Sequence, residues 1–220
     1  MEALGKVNKK DPLKPLVDNI KNGNILGIVG IAGCRNAKLR GEKFIEKLAE
    51  ILLANNILVV STGCAAHSLA QQNLMVPEAA SKAGPPLRKV LEAIGKANGL
   101  ESLPPVLHMG SCVDNSRIAK FLGLLAERMH TSIDKLPVAA SSPELMTEKA
   151  FAIGTYFLTL GLGTHINPVP QIGGSRLVTQ RLTKDLPALT GGKLILGSTP
   201  EAAANAILAH INQKRKALFC

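Results

Sequence analysis

The chain has no tryptophan, one tyrosine and five phenylalanines in 220 residues. Its core must therefore be built from Leu, Ile, Val and Ala. The same scarcity removes the stacking platforms on which single-stranded nucleic acid is bound. Cations are plentiful, with a formal net charge of +10, but they are scattered over expected helix faces (Arg40, Lys43, Lys47, Lys82, Arg88, Lys89). Only Lys9-Lys10 and Lys214-Arg215-Lys216 cluster, and no aromatics interleave them. No nucleic-acid partner is expected; an acidic partner, such as an electron carrier, or another part of a larger protein suits this charge better. Long apolar runs are missing too. Gly and polar residues break every stretch well short of the roughly 20 residues that a membrane span needs. The opening MEALGKVNKKDPLK has no apolar signal-peptide region. The expected location is cytoplasmic and reducing, where cysteines serve as ligands or nucleophiles more than as disulfides.

Of the four cysteines, three sit at one point of a repeated unit: strand, cysteine, helix. They are Cys34 in IVGIAGCRN, Cys64 in ILVVSTGCAA and Cys112 in VLHMGSCVDNSR. In an open α/β sheet, ligands bind just beyond the carboxyl ends of the strands. Thiolate is a soft ligand for iron–sulfur clusters, nickel and zinc, and a helix N-terminus favours the thiolate form. The separations of thirty and forty-eight residues are too long for a zinc finger or a CxxC pair and suit successive α/β units. Any one such cysteine could simply be buried core; three at equivalent turns point to ligation. Cys220 has no such context.

The periodicity predicts an α/β fold: a doubly wound, mainly parallel, Rossmann-like sheet in a single domain over residues 1–220. Strands are expected at Ile25–Ile31, Ile57–Ser61, Pro105–Met109, Pro137–Ala140, Gly163–Ile166 and Lys193–Leu196. Helices are expected over Asp11–Asn22, Arg40–Asn55, from near Ala65, over Leu87–Ala97, over Asp114–Met129, and from Thr199-Pro200-Glu201 to about Asn212. Ser142 reads as an N-cap with Pro143 at the first helical position, opening a helix to about Leu160. The glycines of GIVGIAG miss the GxGxxG register of dinucleotide-binding turns, and no acidic residue falls where a ribose needs one.

HMGSCVDNSR (108–117), VSTGCAA (60–66), the GC of VGIAGCRN and PELMTEKAFAIGTYF (143–157) together resemble the C-terminal domain of the catalytic subunit of nickel-containing, anaerobic carbon monoxide dehydrogenases. The resemblance runs from about Pro12 to near the C-terminus. It implies a nickel–iron–sulfur cluster of the Ni-4Fe-4S type, with CO and CO2 as substrates and an oligomeric enzyme. By position, Cys34 and Cys64 correspond to cysteines that bind irons of the 3Fe-4S portion, and Cys112 to the nickel-binding cysteine. Lys149 matches the lysine that hydrogen-bonds the CO2 oxygen. On the expected helix it lies about two turns in, close enough for its ammonium to reach the cluster.

Relative to that family the chain is short. Nothing corresponds to the cysteines of the electron-transfer clusters, nor to the histidine and two further cysteines that complete the active cluster. A complementary chain or further domains must then supply them, and the 220 residues alone are expected to be inactive. An alternative is a stand-alone iron–sulfur module holding a 4Fe-4S cluster for storage, sensing or transfer; a metal-free interaction domain is a third. His108 is read as either supporting a ligand or merely packed, and His67 and His165 as core or surface residues near strand ends.

Overall fold

The computed structural model describes residues 2–39 and 43–219. The proposed helix start at Arg40, and Cys220, lie outside them.

Six strands form one parallel sheet in the order β3-β2-β1-β4-β5-β6. They are β1 (Gly27–Ile31), β2 (Ile57–Ser61), β3 (Val106–His108), β4 (Val138–Ser142), β5 (Gly163–Ile166) and β6 (Lys193–Ile195). Every residue of β1, β2, β4 and β5 is buried. β1 (GIVGI) and β2 (ILVVS) are nearly all apolar, as expected for parallel strands covered on both faces, whereas β4 (VAASS) and β5 (GTHI) also bury Ser, Thr and His.

The helices are α1 (Glu2–Val7), α2 (Lys14–Lys21), α3 (Phe44–Ala54), α4 (Gly63–Gln71), α5 (Pro85–Ala97), α6 (Asn115–Arg128), α7 (Glu148–Thr159), α8 (Arg176–Gln180), α9 (Leu186–Thr190) and α10 (Pro200–Phe219). On one face α3 packs against α10. Phe44, Leu48 and Leu52 of α3 and Ile207 and Ile211 of α10 are fully buried there. On the other face Ile118 and Leu122 of α6 and Phe157 of α7 lie over Ile28, Val60 and Val138. Each such side chain contributes about 1.5–3 kcal/mol on burial.

The doubly wound parallel sheet is the expected fold. Two segments differ from expectation. Ser142 is not a helix cap: it ends β4, registers with Ile166 of β5 and accepts the Asn167 N–H at 3.0 Å. Pairing with β5 prolongs the strand past the Ser-Pro signal, and residues 143–147 turn before α7 begins at Glu148. Lys149 is therefore the second residue of its helix rather than two turns in. The stretch between β5 and β6, where the sequence suggests a weak strand–helix unit without bounds for the helix, holds short helical turns, α8 and α9 joined by a π-helical turn at Arg181–Asp185. Beyond β6, Thr199 meets the expectation: its side chain accepts the Ala202 N–H at 3.2 Å and opens α10.

Strand order reverses between β1 and β4, which makes the carboxyl ends of these two strands the switch point where such sheets bind ligands.

Candidate metal centre

Cys34 lies three residues beyond β1, partly buried; Cys64 is the second residue of α4, exposed; Cys112 opens a 3-10 turn (Cys112–Asp114) after β3, partly buried. All three belong to turns at the carboxyl edge of neighbouring strands, and all three are free thiols. Backbone hydrogen bonds tie the turns to one another. Gly63 N–H donates to Gly110 O at 3.1 Å, and Ala65 N–H donates to Gly33 O at 3.3 Å.

The close approach of these turns explains their glycines. Gly63 has φ +62°, and a Cβ there would stand 3.0 Å from the Cys112 Cβ. Gly33 has φ +105°, and its Cβ would meet the Ser142 Oγ at 2.5 Å. Both positions need a left-handed backbone and an empty side, which glycine alone provides without strain.

Side chains complete the frame. Ser111 and Asp114 form a capping box around the Cys112 turn, with Asp114 accepting from Ser111 N–H at 2.8 Å and Ser111 O–H at 2.7 Å. These hydrogen bonds hold the Asp114 carboxyl below the ordinary aspartate range. Arg35, next to Cys34, pairs with the buried Glu46, which also accepts from Ser68 of α4 at 2.8 Å. Glu144, fully buried, accepts the Asn36 N–H at 3.1 Å. Burial pushes its pKa up, partly offset by that N–H and by the Arg35 charge. Sequence reading missed Glu46 and Glu144, because nothing separates a buried partner of a turn from an ordinary helix or loop carboxylate.

Lys149 is exposed at the start of α7. Its pKa is raised, first by a hydrogen bond to the Cys112 sulfur, then by the charge of Cys112, and further by Cys34 and Cys64; partial desolvation opposes the shift. One ammonium thus senses all three sulfurs. Across the switch point, Thr147 lies 3.4 Å from the Cys34 Sγ through its Oγ1.

His67 and His108 are exposed, and His108 Nδ1 accepts the Gly110 N–H at 3.1 Å. His165 is buried between Ser141 Oγ at 2.8 Å and Gly197 O at 2.9 Å. Since the carbonyl can only accept, Nε2 carries the proton and Nδ1 accepts from Ser141. Burial lowers the His165 pKa, partly opposed by the hydrogen bond to the Gly197 carbonyl. A cavity of about 490 Å³ is apolar and lies between α1, α5 and α6 over β2 and β3. It shares only His108 and Met109 with the approach to Cys112 and holds none of the three thiols.

Among the described residues no three His, Cys, Asp or Glu side chains draw together around a single ion. Three soft donors spread along one edge, with a cation above them, suit instead a group of several metal atoms bridged by sulfide, whose ligands are spaced by the group itself. The donor set fits such a cluster in part: three thiolates would serve three of its corners.

Residues 1–201 match the Prismane/CO dehydrogenase family. The chain is 50% identical over 220 residues to carbon monoxide dehydrogenase 2 of Carboxydothermus hydrogenoformans, covering 99% of this chain and 35% of that protein. The solved carbon monoxide dehydrogenase IV from the same organism superposes with a TM-score of 0.95 at 51% identity, over 100% of this chain and 35% of that one. A nickel-free crystal structure of the enzyme from Thermococcus sp. AM4 matches at TM-score 0.87 and 44% identity, over 94% and 32%. The chain spans about a third of the length of these relatives.

Proposed function

The chain belongs to the Prismane/CO dehydrogenase family, and on that premise we propose that it is the part of a nickel-containing carbon monoxide dehydrogenase that supplies three thiolates and one ammonium to the active cluster. When bound, a nickel–iron–sulfur cluster would supply the metal chemistry for CO + H2O ⇌ CO2 + 2H⁺ + 2e⁻. Cys34 and Cys64 would hold irons and Cys112 nickel. Lys149 remains a cation through the neutral range, because the sulfurs that raise its pKa favour the charged form. Fixed positive charge of this kind stabilises negative charge that develops on the oxygens of CO2. The single observation that carries the reading is the convergence of three cysteine turns and Lys149 at one sheet edge.

A count of ligands separates this chain from the full enzyme. Three thiolates leave irons without protein partners, and a domain or chain carrying a histidine and two more cysteines would complete the set. By itself the chain would take up at most a 4Fe-4S cluster, with one iron open to solvent. The test is anaerobic reconstitution with iron and sulfide, followed by metal and sulfide analysis and EPR. The chain should turn brown yet oxidise no CO, and Cys34→Ser or Cys64→Ser should stay colourless. Equal cluster content in wild type and both variants would remove the cysteines from the site.

A further inference from the structure

The residue before α7 is built unlike an ordinary helix start. Thr147 occupies the N-cap position with extended backbone (φ −127°, ψ 158°), and its carbonyl accepts the Ala150 N–H at 3.0 Å. A cap threonine normally turns its hydroxyl oxygen onto the N–H groups of the first turn. Here the side chain makes no such bond. Its hydroxyl instead meets the Cys34 Sγ at 3.4 Å, across 113 residues of chain. The helix start thus turns its hydroxyl to a sulfur of another turn instead of to its own first N–H groups.

We propose that Thr147 donates its hydroxyl hydrogen to the Cys34 sulfur and thereby sets the electron affinity of the metal group that Cys34 holds, which rests on the ligand role given to Cys34 above. A metal-bound thiolate has no hydrogen of its own, so the hydroxyl must be the donor. Hydrogen bonds to cluster sulfurs are one of the levers on reduction potential. Reduction adds negative charge, part of it on sulfur. A donor stabilises the reduced form more than the oxidised one and raises the potential. Thr147 acts through Cys34 and is a positioning residue.

The experiment compares wild type, Thr147→Val and Thr147→Ser in the full chain, reconstituted anaerobically with iron and sulfide and titrated with dithionite under EPR. Because Thr147 makes no side-chain cap bond, the valine variant loses nothing from the helix start and should fold and bind iron as wild type does. Its potential should shift to more negative values, while the serine variant, which keeps the hydroxyl, stays at the wild-type value. Equal potentials in wild type and Thr147→Val at equal iron content would overturn the proposal. If the wild type takes up no cluster, the ligand reading fails, and the hydrogen bond is judged in the metal-free chain. There, a double-mutant cycle pairing Thr147→Val with Cys34→Ala in thermal melts should show non-additive losses, since either change removes the same contact. Additive losses would show that the hydroxyl does not reach the sulfur.

Discussion

The Thr62 hydroxyl donates to the Asn115 side-chain oxygen across 2.8 Å, joining two turns 53 residues apart. Thr62 precedes α4, which carries Cys64; Asn115 begins α6, and its amide donates to the Cys112 carbonyl at 2.8 Å. Both residues are buried. Like Thr147, Thr62 gives up the side-chain cap of its own helix. Thr62→Val keeps the shape and leaves the Asn115 oxygen without its donor. An unpaired buried polar group costs about 1–3 kcal/mol, so a thermal melt should fall by several degrees, while Thr62→Ser should melt close to wild type. Unchanged melting of Thr62→Val would mean that water replaces the lost donor.

Gly63→Ala tests the packing of the same two turns. The new Cβ would enter a backbone with φ +62° and stand 3.0 Å from the Cys112 Cβ. Strain at a left-handed position outweighs the entropic gain that alanine brings elsewhere. Lower stability than wild type is expected, together with weaker iron retention, because relief of the contact moves the Cys112 turn. Alanine tolerated at full iron content would show that the turns are free to part.

Much of this arrangement was legible in the sequence, and the rest fails for identifiable reasons. The segments Ile57–Ser61 and Gly163–Ile166 are legible at their observed bounds because glycine or asparagine flanks each, and the first is apolar but for its last residue. The cysteine turns followed from the strand–helix rhythm. Ser142-Pro143 misled because a local cap signature carries no information about the β5 strand that pairs with Ser142. The segment from Ile172 to Thr190 stayed unread because its helical turns are short and its apolar residues face outward, with Leu177 and Leu189 63% and 85% exposed. The Thr62–Asn115 and Thr147–Cys34 contacts join residues whose proximity only the fold creates, and no spacing rule announces them.

Buried histidine gives the chain a pH-dependent stability. His210 of α10 is buried and its Nε2 has no hydrogen-bond partner among the described residues. Burial, then the charges of Lys214 and Lys193, lower its pKa from 6.5 to about 4. The unfolded chain binds this proton more readily than the fold. The stabilisation is therefore complete above the unfolded value and is lost as pH falls from 6.5 towards 4. A shift of that size corresponds to on the order of 3 kcal/mol. His165, also lowered by burial, adds to the same trend. Urea unfolding should show stability declining over this interval, and His210→Leu should flatten part of the slope. An unaltered slope in the variant would assign the acid sensitivity to other groups.

Lys149→Ala separates binding of the cluster from its use. The ammonium carries no soft donor and stands on α7, across the switch point from the cysteine turns, so iron and nickel content should stay near wild type. What disappears is a positive charge that the neighbouring sulfurs, Cys112 first, favour. In an enzyme completed with the missing domains, that loss should appear in kcat, because the charge acts on oxygens that become more negative during reaction. Removing one such stabilising group typically costs on the order of a hundredfold. Lys149→Arg keeps the charge but presents a planar fork in place of a compact ammonium, and only partial recovery is expected. The measurement is CO-dependent dye reduction beside metal analysis on the same samples. Full turnover in Lys149→Ala at normal metal content would return Lys149 to the solvated surface, and a parallel loss of metal would recast it as a structural counter-charge to the thiolates.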